Sequence, residues 1–75
     1  MELTVGEKLV GIDFNVGNRG DVHECKNRFA FAINQLEELY KNGEVTEGKA
    51  TIIEEAKMRI LDAQMWAVKA ITYNY

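Results

Sequence analysis

Arg59, Asp62, Trp66, Lys69 and Tyr73 follow one another at spacings of three and four, so on a helix they share one face. An indole beside two cations is the chemistry of nucleotide recognition: the ring stacks on a base while Arg or Lys takes a phosphate. Trp and Arg are also the residues that anchor subunit interfaces. The two roles coincide where a ligand sits between subunits. A second candidate lies nearer the start of the chain. Asn15-Val16-Gly17-Asn18-Arg19-Gly20 is a polar, glycine-rich connector. Glycines let backbone N–H groups turn towards an anion, and a helix that starts just after them favours negative charge there. Arg19 adds a fork of donors, and Lys26 lies about one turn into that helix. A cation so placed is expected to support little core. A plain loop before a helix has the same composition.

Catalysis finds no comparable constellation. A nucleophile needs a base and an orienting group beside it. His23 and Cys25 are two apart, so on a helix they point in different directions. Cys25 falls on an apolar face and reads as a small core thiol; His23 reads as a solvated surface residue. Glu37-Glu38 and Glu54-Glu55 are adjacent pairs. They have neither the helical spacing of metal ligands nor a Glu-x-x-His motif, and they read as solvated helix faces. The expectation is a protein that is not an enzyme, with no metal site and no cofactor.

The totals narrow the partners. Seventy-five residues make one domain, residues 1–75. A chain this short buries only about 60% of its unfolded surface, and it usually needs a staple or an oligomer. One Cys and one His supply neither an intrachain disulfide nor a four-ligand zinc site. That leaves oligomerisation. The lone cysteine, with no signal peptide and no long apolar run, predicts a soluble protein of a reducing cytoplasm. A net charge of −3 argues against long nucleic acid or an anionic membrane as partner. A small anion held by a few local cations stays open.

The elements that must position these residues follow from pattern. The chain has no Pro, and Gly6, Gly11, Gly17 and Gly20 crowd its start. Leu3-Thr4-Val5, then Gly6-Glu7-Lys8, then Val10, Ile12 and Phe14 at period two predict two short β-like runs around a Gly turn. That segment and the connector fill residues 1–20. Asp21, with Glu24 three residues on, predicts a capped helix start. Helix one spans 21–41, with Val22, Cys25, Phe29, Ile33, Leu36 and Tyr40 on its apolar face, and Asn42-Gly43 ends it. Thr46 caps a second helix over 46–72. At 1.5 Å per residue the helices are about 30 and 39 Å long. The short link between them forces an antiparallel hairpin. The expected fold is therefore mainly α: an antiparallel two-helix hairpin with a short N-terminal β-like segment, assembled as a homo-oligomer.

The oligomer is read from helix two. Ile53, Ala56, Ile60 and Ala63 are placed to face helix one. A second apolar row, Leu61, Met65, Val68 and Ile71, lies some distance round the cylinder. From Ile60 to Thr72 the helix is apolar nearly all round, which demands burial nearly all round. A chain of this length cannot enclose it, so copies must pack together. Ala63, Ala67 and Ala70 allow close approach. The competing reading is a small helical protein–protein interaction module, in which the same face meets a different protein.

Three runs carry a resemblance to a known family. The first is Met1-Glu2-Leu3, then Val5-Gly6-Glu7-Lys8-Leu9-Val10-Gly11. The second is Phe14-Asn15, followed by Val22 and Lys26. The third is Ala63-Gln64-Met65-Trp66-Ala67-Val68-Lys69-Ala70-Ile71-Thr72, whose Met-Trp-Ala-Val-Lys-Ala core is the most specific. Together they resemble the helical-hairpin family shared by the phage anti-CBASS protein type two and the Thoeris anti-defence protein type one. These are cyclic-nucleotide sponges. The likeness spans nearly the whole chain and is weakest in the middle. Val16-Gly17-Asn18-Arg19 stands where the family commonly reads Pro-Ser-Gly, and the chain stops at Tyr75 without a longer C-terminal tail.

The resemblance implies a non-enzymatic homo-oligomer, typically a hexamer, acting in the cytoplasm of the infected bacterial host. It implies that cyclic di- or trinucleotides, or cyclic ADP-ribose isomers, are bound at subunit interfaces and sequestered without cleavage. It places ligand contacts on Phe14, Asn15, Lys26, Met65, Trp66, Lys69 and Thr72. Arg19 and Arg59 join these as cations. A symmetric assembly repeats each cation around its axis, as a cyclic nucleotide repeats its phosphates.

Overall fold

Thr4-Val5-Gly6-Glu7 opens a helix, not a strand. In the computed structural model, which describes residues 2–74, the Thr4 hydroxyl accepts from the Glu7 N–H at 3.1 Å. The Glu7 carboxylate accepts from the Thr4 N–H at 2.8 Å. This reciprocal capping box starts α1, Val5–Val10. Gly11 ends α1 in the left-handed region, φ 63°, where a side chain would be strained. The β-like reading of residues 3–14 is thereby corrected: the described residues contain no strand. The alternation of Val10, Ile12 and Phe14 has no partner strand to pair with, and a lone short hairpin is marginal in water. Local capping decides the outcome. Met1 and Tyr75, at the two ends of the predicted domain, lie outside the described residues.

A single 3-10 turn, Val16–Asn18, leads into α2, Gly20–Glu38. Arg19 takes the N-cap position expected of Asp21. Asp21 sits two residues further in and receives the Val22 N–H at 2.8 Å. Glu24 does not close a capping box; it accepts from Arg28 at 2.5 Å. α2 also ends before Lys41. Leu39, Tyr40 and Lys41 donate to carbonyls three residues back, a tightening that satisfies carbonyls a helix end leaves open. α3 runs Glu47–Thr72 with Thr46 as its cap, the Thr46 hydroxyl accepting from Lys49 N–H at 3.2 Å. Glu37 pairs with Lys57 and Tyr40 with Glu54 across the hairpin, and Ile33 lies with Ile60 in the core. As one number rises the other falls, so α2 and α3 are antiparallel.

The core is small: Val10, Ile12, Ala30 and Ile33, with Phe29 and Ile60 packed against it. Ile33 is fully buried. α1 reaches it through a close approach at Gly6. A Cβ there would stand 2.2 Å from the Ala30 carbonyl oxygen. The Gly6 N–H donates to Asn34 Oδ1 at 2.7 Å, and Asn34 Nδ2 donates to the Thr4 hydroxyl at 3.0 Å. One asparagine thus ties α2 to the cap of α1.

The face α3 turns inward differs from expectation. Ile53 and Gln64 are buried, Lys57 and Ile60 are half-buried, and Ala63 is exposed. The row is Ile53, Lys57, Ile60, Gln64, because spacings of four, three and four track the helix better than repeated threes and fours drifting to Ala63. Two polar residues therefore face the core. Lys57 is matched: its ammonium donates to Glu37 at 2.6 Å and Glu54 at 3.0 Å. So Glu37 and Glu54 are not simply solvated; they clasp the two helices.

The chain is flat, with extents of 46 × 30 × 13 Å. Its thin dimension is about one helix, so each helix has a face that none of the described residues covers. A compact monomer of 8.5 kDa would expose about 4,700 Å². This one exposes 5677 Å². No helix among the described residues is long and apolar enough to cross a membrane.

Candidate functional site

One groove joins the N-terminal segment to the far half of α3. Leu9, Val10, Gly11, Phe14 and Lys26 form one wall, and Leu61, Gln64, Met65 and Val68 the other; its volume is about 490 Å³. Of the residues singled out in the sequence, it gathers Phe14, Lys26 and Met65. The second apolar row of α3 supplies most of the opposite wall.

Lys26 is the hinge of this geometry. It is 5% exposed, contrary to the expectation that it supports little core. Its ammonium donates to the Gly11 carbonyl at 3.0 Å and to the Phe14 carbonyl. It thereby caps the end of α1 and pins the loop that follows. The same nitrogen lies 5.5 Å from the centre of the Phe14 ring, within cation–π range. The ring itself is 75% exposed. An ammonium has three N–H donors; two are used here, which leaves one for an anion at the groove. Phe14 offers a flat apolar face beside it.

The connector spends its polar groups on itself. Asn15 Nδ2 donates to the Arg19 carbonyl at 2.8 Å, and the Arg19 N–H donates back to Asn15 Oδ1 at 3.2 Å. Gly17 takes φ 77° and Asn18 φ 51°, which closes the loop tightly. The Arg19 guanidinium meets Asp21 through Nε at 3.1 Å and Nη2 at 2.7 Å. That hydrogen-bonded pair holds Asp21 below the usual carboxylate range and raises Arg19. The Asp21 carboxylate also occupies the start of α2. Asn15 and Arg19 thus brace the loop behind Phe14 and stand apart from the groove.

The stripe Arg59, Asp62, Trp66, Lys69 and Tyr73 does share one face, and that face is exposed. Lys69 lies over the Trp66 ring at 5.0 Å, and Trp66 is 63% exposed. Arg59 pairs with Glu55 at 3.5 Å. The Thr72 hydroxyl donates to the Val68 carbonyl at 2.9 Å, an ordinary local helix contact. None of Arg59, Trp66, Lys69 and Thr72 lines the Phe14 groove of the same chain. They form a second surface round the helix from it.

Cys25 is half-buried beside Asp21, Glu24, Arg28 and Phe29, and burial pushes its thiol up, away from the thiolate form that reacts. His23 is exposed. The residue that sequence reasoning passed over is Gln64. It is 4% exposed and lines the groove between Leu61 and Val68. Leaving an amide without a partner in such a place costs about 1–3 kcal/mol. The signal was present: Gln64 is the polar residue four after Ile60 and four before Val68, interrupting an apolar row. Against family models, curated proteins and solved structures, the chain finds no match.

Proposed function

We propose that this chain is a phage anti-defence sponge. It binds cyclic di- or trinucleotides, or cyclic ADP-ribose isomers, in the cytoplasm of the infected host and sequesters them without cleaving them. The observation that carries the reading is the groove in which an exposed Phe14 ring lies under the Lys26 ammonium, facing Leu61 and Met65. A nucleotide offers a flat base and an anionic phosphate, and a stacking face beside a cation is complementary to both. The three sequence runs that resemble the sponge family contribute to this groove: Val10 and Gly11 from the first, Phe14 and Lys26 from the second, Gln64, Met65 and Val68 from the third.

A homo-oligomer, a hexamer by that resemblance, completes the proposal. The exposed area exceeds that of a compact monomer by about 1,000 Å², which is close to what one partner gives to a standard interface. Trp66 and Lys69 lie outside their own chain's groove, and a neighbouring copy brings them to a shared site.

Calorimetric titration against a panel of cyclic di- and trinucleotides and cyclic ADP-ribose isomers tests the binding. Heating the complex should then release the ligand intact; recovery of a linearised product would replace the sponge with an enzyme. A monomer or dimer by light scattering, binding none of the panel, would favour the protein-interaction module.

A further inference from the structure

The inner row of α3 buries two polar side chains, and the fold treats them differently. The Lys57 ammonium meets two carboxylates. The Gln64 amide, in a side chain more than nine-tenths buried, has no hydrogen bond to any of the described residues. No side-chain nitrogen or oxygen is sealed away without a partner among them. The amide therefore reaches the water of the groove that Gln64 lines. A primary amide carries donors and an acceptor side by side, and burial holds this one in place. A leucine would continue the row of Leu61 and Val68 without the loss that an unpartnered amide brings.

We infer that Gln64 sets the specificity of the groove by reading the edge of an adenine-type base, in which an exocyclic amino group stands beside a ring-nitrogen acceptor. The inference rests on the nucleotide reading of the groove. The three groups there divide the labour by chemistry. Phe14 offers only a stacking face. Lys26 can only donate, so it suits a phosphate. The amide alone offers a donor and an acceptor together, and that pair matches adenine N7 and N6. The corresponding edge of guanine presents two acceptors, which sets O6 against the amide oxygen.

The test compares wild type with Gln64→Met, which keeps the length of the side chain and loses only the amide. Each is titrated calorimetrically with cyclic di-adenylate and cyclic di-guanylate, and each free protein is melted. Wild type should favour the adenine ligand by about ten- to a hundredfold. The variant should bind the two within a few-fold of each other. It should also melt above wild type, because the amide has no partner to lose. A preference that survives in Gln64→Met overturns the inference while the sponge reading stands, as does a wild type that favours guanine. A variant that melts below wild type overturns it too, since the amide would then hold the fold. If no cyclic nucleotide of the wider panel binds wild type, the sponge reading falls and this inference falls with it.

Discussion

Where α2 turns towards α3, polar groups close on one another. Tyr40 donates to Glu54, Lys57 bridges Glu54 and Glu37, and Ile53 on the same stretch of α3 is buried. At the other end of α3, Met65 is 56% exposed and Trp66 stands out further still. The Trp66 half of α3 is the more apolar, with nine apolar residues in Ile60–Thr72 against five in Glu47–Arg59, so its exposure does not follow from composition. What separates them is the clasp of Tyr40, Glu37, Glu54 and Lys57, which ties the turn end across two helices; apolar side chains stand exposed in both halves, Ile52 and Met58 as well as Met65 and Trp66. The turn end is built to be stable in one chain. On the proposed reading the Trp66 end meets ligand and a second copy.

Substitutions should divide along the same line. The largest effect on the fold is expected from Ile33→Ala, at the fully buried centre: about 2–5 kcal/mol of stability, read by urea denaturation. Next is Gly6→Ala. Its new methyl meets a backbone carbonyl, which cannot swing aside as a side chain would, so about 1–3 kcal/mol is expected together with weaker capping of α1.

Smaller again is the clasp. The hydrogen bond from Tyr40, and then that from Lys57, hold Glu54 below its ordinary value of 4.5. Its contribution is therefore complete above that value and is lost as pH falls through the lower folded value. Tyr40→Phe removes the larger cause. The variant should melt slightly below wild type at neutral pH, and the two melting profiles should converge in acid. A constant offset at every pH would mean that Glu54 is not the partner that matters.

The smallest effect on the fold is expected from Met65→Glu, within about 0.5 kcal/mol for a single chain, because an exposed side chain has little to lose. Its effect on assembly should be the opposite. A charge in a buried interface costs several kcal/mol, so light scattering should show the oligomer dissociated. If Met65→Glu keeps its mass, the row through Met65 is not where copies meet.

Much of the fold was legible in residues whose signals are local. Thr46 caps α3, and the helix runs from Glu47 to Thr72 as its periodicity predicts. Two errors have physical causes. Thr4 and Glu7 form a Thr-x-x-Glu capping box, but Val10, Ile12 and Phe14 carry a competing alternation; the box decides between them, and the close approach of Gly6 to Ala30 supports it. Asp21 has the right type for a cap, yet the backbone enters the helix two residues earlier and leaves Asp21 inside. The groove was legible in part. Phe14, Lys26 and Met65 could be named from sequence. That Lys26 would bury itself under two carbonyls could not, because that depends on where α1 ends relative to α2. Gln64 was passed over because a single polar residue in an apolar run reads as noise until the inner row is known.

The two carbonyls held by Lys26 have a consequence for speed. They fix the loop carrying Phe14 before any ligand arrives, and the Asn15–Arg19 contacts brace that loop from behind. A stacking ring already in place need not be ordered at the moment of capture, so little entropy is lost and no closing motion must precede binding. On the proposed reading, association then proceeds at the rate of productive encounter, without the slowing that a conformational change imposes. On the sponge reading the protein competes with a receptor for a scarce messenger, and the order of arrival then matters as much as the strength of the hold.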